Sequence, residues 1–522
     1  MFFYRASKKQ GSMSLAIIYS RTNDGIDAPL VSVEVDTGNG LPSLSIVGLP
    51  ETAVKESRDR VRAAILNSNF EFPARRITVN LAPADIPKDG GRFDLPIALG
   101  ILAASGQIPL DAVNKYEFIG ELSLGGQLRS VKGVLPTAFA ANKANRGLFV
   151  PSENASEAAL ISNLSVYPAT HLGQVTAHLL ALELITPHAH TVSMQQASYQ
   201  VDMADVKGQL QAKRALEIAA AGGHNLLMVG PPGTGKTMLA SRLATILPPM
   251  TEAEALETAA IASISDQGFK IKNWGLRPVR DPHHTSSGVA LVGGGAKVRP
   301  GEISLAHNGV LFLDELTEFD RKVLDVLREP LENGEISISR AARQATYPAR
   351  FQFIAAMNPC PQGYDCDFKD NCRCTPEQQK RHRSRLSAPL LDRIDLHIEV
   401  PRLPRKDLQS GEPGEPSASI RARVVAAREY QYVRQGCHNS ALDSRSIDKY
   451  CQLAEADSAL LARAMDKFRL SARAYHRILK VARSIADLAG SESIQTPHIA
   501  EALGYRSLNL SETSRNEVTF TQ

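Results

Sequence analysis

A surplus of charge of either sign is missing from this chain. Among 522 residues, Lys plus Arg total 59 and Asp plus Glu total 55, a formal net charge of +4. That balance neither demands nor excludes a nucleic-acid partner, so local clusters of cations must decide. Long apolar runs are missing too: none approaches the roughly 18 residues of a membrane-spanning helix, which excludes that class of membrane protein. The opening residues, Met1 to Lys9, lack the apolar core of a secretory leader. Residues 1–12 read as an extension ahead of the first convincing strand, which follows Met13. Cysteine is scarce, six in all. Four of them, Cys360, Cys366, Cys372 and Cys374, crowd into one polar loop, which excludes a disulfide framework and marks the chain as cytoplasmic. There is no internal repeat. Hydrophobic content of 43% and charged content of 22% are ordinary for a globular protein, and this length predicts about two to four domains.

Two short segments carry the chemistry. The first is Gly230-Pro231-Pro232-Gly233-Thr234-Gly235-Lys236-Thr237, with Met238 opening the helical stretch behind it. It fits the phosphate-binding pattern G-x-x-x-x-G-K-[ST]. Glycines let backbone N–H groups turn inward around a phosphate, Lys236 adds positive charge, and the Thr237 hydroxyl is placed to ligate Mg²⁺. The second is Val310-Leu-Phe-Leu-Asp314-Glu315, an apolar strand ending in two acids. Asp314 is expected to hold Mg²⁺ through water and Glu315 to polarise the attacking water. A tight turn is the competing reading of a lone glycine-rich loop; the second segment argues against it.

Further along, the buried-strand pattern of Phe351 to Met357 ends at Asn358, where an amide can orient the hydrolytic water. Arg393, between Asp392 and Asp395, offers a fixed cation for a developing phosphoryl charge, supplied to a neighbouring subunit. An ordinary ion pair with Asp392 or Asp395 is its alternative. Arg473 opens a C-terminal helix in which Ala474, Ile478, Val481, Ile485 and Leu488 form one apolar face. As a lid arginine it would reach the γ-phosphate; a solvated face is the alternative.

The patterns divide the chain. Residues 13–190 form an α/β unit with strands at 15–19, 31–35, 44–47 and 77–81 and a helix over 51–67. Residues 191–204 read as a linker, 205–404 as the nucleotide-binding α/β core, 405–419 as a second linker, and 420–515 as a helical lid.

The order of these parts resembles the AAA+ ATPases, within them the magnesium-chelatase-like branch, and more closely the bacterial ComM/YifB family. The residues that carry it are Asp205 to Leu216, Arg280 to Thr285, Arg299 to Asn308 and Met357 to Pro361, and the likeness spans nearly the whole chain. It implies an α/β fold with a P-loop parallel sheet and helical lid, ATP and Mg²⁺ as cofactors, and Gln209 near the adenine. It further implies hexameric rings, single-stranded or branched DNA as substrate with other recombination proteins as partners, and branch migration during natural transformation. A chelatase-type motor acting on a protein and a non-translocating regulatory ATPase are the alternatives.

Basic residues give a local hint of DNA. Lys270, Lys272, Arg277, Arg280, Lys297 and Arg299 lie in a segment, 267–300, whose central glycines suit a mobile pore-facing loop. Arg340 and Arg343 fall where the tip of a β-hairpin is expected. Such loops track phosphates without reading sequence; a solvated basic surface is the bland reading. For His283 and His284, contact with DNA, contact with a neighbour and capping of a turn stay open. The four crowded cysteines offer enough thiolates for a structural zinc site; free thiols are the alternative. Finally, residues 13–185 resemble the Lon protease domain. The resemblance places Arg92 where its serine stands and Thr137 where its lysine stands, so the nucleophile and its base are both missing.

Overall fold

The computed structural model describes residues 15–189, 194, 199–295, 298–340, 343–362, 374–404, 414–468 and 470–506, with 52, 53, 55, 340 and 343 described by backbone alone. The extension at 1–12 lies outside them. The chain divides into two compact units, Met1–Met194 with Leu256–Trp274, and Gln195–Ala255 with Gly275–Gln522.

In the first unit, seven strands form one sheet in the order Ser43–Val47, Arg76–Ala82, Leu30–Gly38, Leu15–Arg21, Tyr116–Phe118, Gly147–Pro151, Val166–Ala169. Alternation fixes the buried face: Val31, Val33 and Val35 are fully buried between more exposed neighbours. Helix Thr52–Asn67 buries Val54, Val61 and Ile65, as its spacing predicts. A second helix, Asp94–Ala104, is buried through most of its length and is apolar all round. Arg21 donates to both oxygens of the fully buried Glu117, at 2.6 and 2.7 Å, and so ties the first strand to Tyr116–Phe118.

The segment Leu256–Trp274 belongs to this unit although the sequence places it after the P-loop. Its anchors are local hydrogen bonds: Gly133 N donates to Ser263 O at 2.9 Å, and Lys132 Nζ donates to Asp266 O at 2.9 Å. This corrects the expectation for Lys270 and Lys272. Both are exposed, but they sit on the N-terminal unit and not on a loop of the nucleotide-binding core.

The second unit is built on five parallel strands in the order Val279–Arg280, Val310–Leu313, Gln352–Met357, Leu226–Val229, Leu396–Glu399. The three central strands are buried on both faces, which is why they read as unbroken apolar runs. In such a sheet ligands gather at the carboxyl ends of the strands, near the point where connections reverse direction. Here strand Leu226–Val229 lies between two strands that come much later in the chain. The P-loop, Asp314 with Glu315, and Asn358 therefore all emerge on one edge.

Helices Ser417–Gln435, Ser444–Tyr450, Glu455–Phe468, Ala472–Leu488 and Thr496–Gly504 follow. Ala472–Leu488 buries Ile478, Leu479, Val481 and Ile485, each stabilising by about 1.5–3 kcal/mol. It approaches helix Leu210–Gly222 closely: a Cβ on Gly222 would stand 2.3 Å from Ser484 Oγ. Two boundaries shift from those expected. The lid begins at Ser417, and the linker 191–204 ends early, because Asp202 and Met203 are folded onto this unit. Ser417 Oγ accepts from Met203 N at 2.7 Å and Asp202 Oδ1 accepts from Ser417 N at 2.9 Å. A short polar stretch looks like a linker until these capping partners, distant in sequence, are seen.

Candidate functional site

The loop between strand Leu226–Val229 and helix Lys236–Ile246 needs its glycines. Gly233 and Gly235 hold φ of 77° and 90°, where a side chain is strained. The Lys236 ammonium donates to Gly230 O at 2.8 Å, Pro231 O at 2.9 Å and Asn358 Oδ1 at 3.2 Å. Burial pushes its pKa down, while Asp314 and Glu315 act in the opposite sense. Thr237 Oγ1 donates to Asp314 Oδ2, so the hydroxyl and carboxylate expected to share a metal already meet. Gln209, itself in the left-handed region at φ 51°, donates to Pro401 O at 2.8 Å and Thr234 O at 3.4 Å. Its amide braces the P-loop against the end of the neighbouring strand.

Glu315 also adopts a left-handed backbone, φ 50°, at a cost on the order of 1 kcal/mol for a non-glycine residue. Strain of this kind gathers at functional sites. Its carboxylate meets His284 Nδ1 at 3.2 Å. The neighbouring His283 has different partners. Its Nδ1 lies 2.8 Å from Thr285 Oγ1 and accepts from Thr285 N at 3.3 Å, which caps the turn. The two histidines, inseparable in the sequence, are thus distinct in the fold. On the far side, His382 Nε2 lies 3.1 Å from Asn358 O and fixes the residue that touches Lys236. Nothing in the sequence singles out His382, since a lone histidine in a polar helix carries no pattern.

A divalent cation fits this donor set. Asp281 and Asp314 are near enough that Asp314 adds to burial in pushing the Asp281 carboxyl upward, and Mg²⁺ relieves such crowding of negative charge with oxygen ligands.

Arg393 lies elsewhere. Its guanidinium pairs with Glu332 and donates to Pro389 O at 2.7 Å. Neither Asp392 nor Asp395 is its partner. Asp395 is buried and belongs to Arg477 (2.6 Å) and to the backbone N of Asn225 (2.9 Å). Burial opposes ionisation there, yet Arg477 and His224 hold the carboxyl well below its usual range. Removing one member of such a pair costs on the order of 3 kcal/mol. Arg473 is exposed and, with Arg393 and Arg477, lowers the pKa of Glu332, Arg393 contributing most. Among the described residues, no hydrogen bond or ion pair joins Arg393 or Arg473 to the P-loop, Asp314 or Glu315 of the same chain.

Comparison with known proteins agrees with this geometry. Three family profiles match in sequence: magnesium chelatase subunit ChlI over residues 202–408, subunit ChlI of Mg-chelatase over 33–154, and the ChlI C-terminal region over 414–506. The competence protein ComM of Haemophilus influenzae is 54% identical over 504 residues, spanning 95% of this chain and 98% of its own. YifB of Salmonella typhimurium is 52% identical over 500 residues, with the same coverage of 95% and 98%. The chain belongs to the ComM/YifB family. It is therefore a magnesium-chelatase-like AAA+ ATPase. More distantly, a maternal DNA replication licensing factor of Xenopus tropicalis is 24% identical over 241 residues, 43% of this chain and 27% of that one.

In this ComM/YifB protein the two positions singled out by the Lon resemblance do meet. Arg92 Nη2 donates to Thr137 Oγ1 at 2.9 Å, and that hydroxyl donates to Gly133 O at 3.1 Å. Both residues are buried, and burial pushes Arg92 down to about 10. A guanidinium that stays protonated at neutral pH cannot serve as the base of a dyad.

The basic segment fares differently from expectation. Arg277 is consumed by Pro248 O, Asn308 O, Pro249 O and Glu254, at 2.7, 2.7, 3.2 and 3.1 Å. Arg280 forms a two-pronged pair with Glu302 at 2.6 and 2.8 Å. Both guanidinium groups are engaged in holding the segment's own fold. The segment is also more ordered than a bare loop: helix Gly288–Val292 leads into a small hairpin in which Gly294 faces Arg299. Lys297 lies outside the described residues. The second hairpin forms as expected, Glu335–Arg340 against Arg343–Pro348, with Arg340 and Arg343 paired at its end. Cys366 and Cys372 lie outside the described residues, while Cys360 and Cys374 are buried together. Among the described residues no group of three or more metal-binding side chains is found, so zinc gains no support. No described helix is long and apolar enough to cross a membrane.

Proposed function

We propose that this protein is an ATP-driven DNA motor that works as a hexameric ring on single-stranded or branched DNA during natural transformation. The observation that carries the reading is likeness over nearly the full length to a competence protein, joined to an assembled P-loop site. Similarity to a replication licensing factor through part of the chain adds weight.

Each residue then has a role. Backbone N–H groups of the P-loop and Lys236 bind phosphate, and Thr237 and Asp314 would hold Mg²⁺, which neutralises phosphate charge when bound. Asn358 orients water, and Glu315 takes up its proton from a position set by His284. Arg393 serves the site of the adjoining protomer, and Arg473, on the lid, reaches the γ-phosphate. The hairpin ending at Arg340 and Arg343, together with Arg299, whose neighbour Val298 accepts through its carbonyl from the Tyr347 hydroxyl of that hairpin at 3.0 Å, is the element that follows the phosphate backbone.

The test is ATP turnover with and without single-stranded or forked DNA. Turnover is expected to rise several-fold with DNA and to lose that rise at high salt, as phosphate contacts require. Turnover indifferent to DNA, but raised by a protein captured from the host, would favour a chelatase-type remodelling motor instead.

A further inference from the structure

We propose that Asn225 and Arg477 are positioning residues for Arg393, so that a protomer's own nucleotide site sets the arginine it presents to its neighbour. The inference rests on the reading that Arg393 acts across a subunit junction.

Asn225 stands immediately before strand Leu226–Val229, the strand that runs into the P-loop. Its side-chain nitrogen donates to Arg393 O at 3.1 Å, while its side-chain oxygen accepts from Phe353 N at 2.9 Å. Its backbone carbonyl accepts from Asp395 N at 3.1 Å and Leu396 N at 3.0 Å. One partly buried residue thus touches three strands. The first carries the P-loop, the second ends at Asn358, and the third follows Arg393. Arg477, from the lid helix, donates to the same Arg393 carbonyl at 3.1 Å and to Asp395 at 2.6 Å.

Arg393 occupies the turn between helix Ala388–Leu391 and strand Leu396–Glu399, where its N–H donates to Leu390 O at 2.9 Å and its carbonyl is left for side chains. Its carbonyl is held from two directions, by the P-loop strand and by the lid. The Asn225 end of that strand is roughly 13 Å from the P-loop, four residues at strand rise. Lys236 and Asn358, which touch each other at one end of the two strands, are therefore linked to Arg393 at the other. Movement of P-loop or lid on nucleotide binding reaches the guanidinium through these two donors.

Mixed assemblies of full-length chains test this. An R393A protomer keeps Glu315, and an E315Q protomer keeps Arg393. Neither hydrolyses ATP alone, yet roughly a quarter of junctions in a randomly mixed ring are whole. Recovery of ATP turnover on mixing is expected. Failure to recover, with both chains co-purifying, overturns the trans reading and this proposal with it. In the decisive arm the finger donor is E315Q/N225A. Its own site is already silent, so any loss must pass through Arg393. Recovery is expected to fall roughly tenfold at unchanged KM for ATP; undiminished recovery overturns the positioning role and leaves the trans reading intact. Should E315Q/N225A fail to co-purify, E315Q/N225D repeats the arm. An aspartate keeps an oxygen to accept from Phe353 N but offers no donor to the Arg393 carbonyl, so the same loss is expected and full recovery again overturns the proposal.

Discussion

Replacing Glu315 with glutamine is expected to lower ATP turnover by about 10²–10⁴-fold while nucleotide binding stays intact. The substitution keeps shape and removes the charge that accepts a proton from water. A thousandfold loss corresponds to about 4 kcal/mol of barrier, far more than any disturbance of the fold can account for here. The Glu315 side chain is 52% exposed and its ion-pair partner is a single histidine. Lys236, Thr237 and Asp314 keep their own contacts, so a fluorescent nucleotide should bind as before. Steady-state turnover beside equilibrium nucleotide binding makes the comparison. Turnover near that of the unaltered protein would remove Glu315 from the mechanism.

Arg393→Ala is expected to reduce turnover by about 10³-fold or more, again with nucleotide binding retained. Arg393 pairs in its own chain with Glu332, at an exposed carboxylate. The carboxylate is 54% exposed but the arginine side chain only 11%, so losing the pair costs on the order of 1–2 kcal/mol, and the variant should melt only a few degrees below the parent. A thousandfold effect on catalysis beside so small a change in stability, with binding by the same chain intact, points to a group that serves the neighbouring site. Equal loss of binding and turnover, or a large fall in melting temperature, would return Arg393 to an ordinary ion pair.

The gathering of the site's groups at the carboxyl edge of the sheet was legible because each belongs to a short motif tied to the end of a strand. Gly230 to Thr237, Asp314 with Glu315, and Asn358 each end or follow a strand whose apolar run is plain, and parallel pairing brings the three together. The limits lay where partners are far apart in the chain. Arg277 looks free in a basic segment, yet its hydrogen bonds are taken by carbonyls of Pro248, Pro249 and Asn308 and by Glu254. Arg280 looks equally free until Glu302 is placed beside it. Lys270 and Lys272 follow the P-loop in sequence but fold with the N-terminal unit, since Ser263 and Asp266 find their hydrogen bonds at Gly133 and Lys132. His284 is an ambiguous histidine until the strands ending at Arg280 and Leu313 set it against Glu315. Asn225 is invisible as anything but the residue before a strand. The pairing of Arg92 with Thr137 is the converse: residues 45 apart in sequence were matched through the Lon resemblance, and the fold brings them into contact.

The most direct measurement is displacement of a labelled strand from a forked or three-stranded DNA by the full-length protein, followed in time with ATP. Displacement that needs hydrolysable ATP, and that disappears in both Glu315→Gln and Arg393→Ala, is the expected result. Vigorous ATP turnover with the labelled strand left annealed on every substrate would contradict a motor that moves DNA.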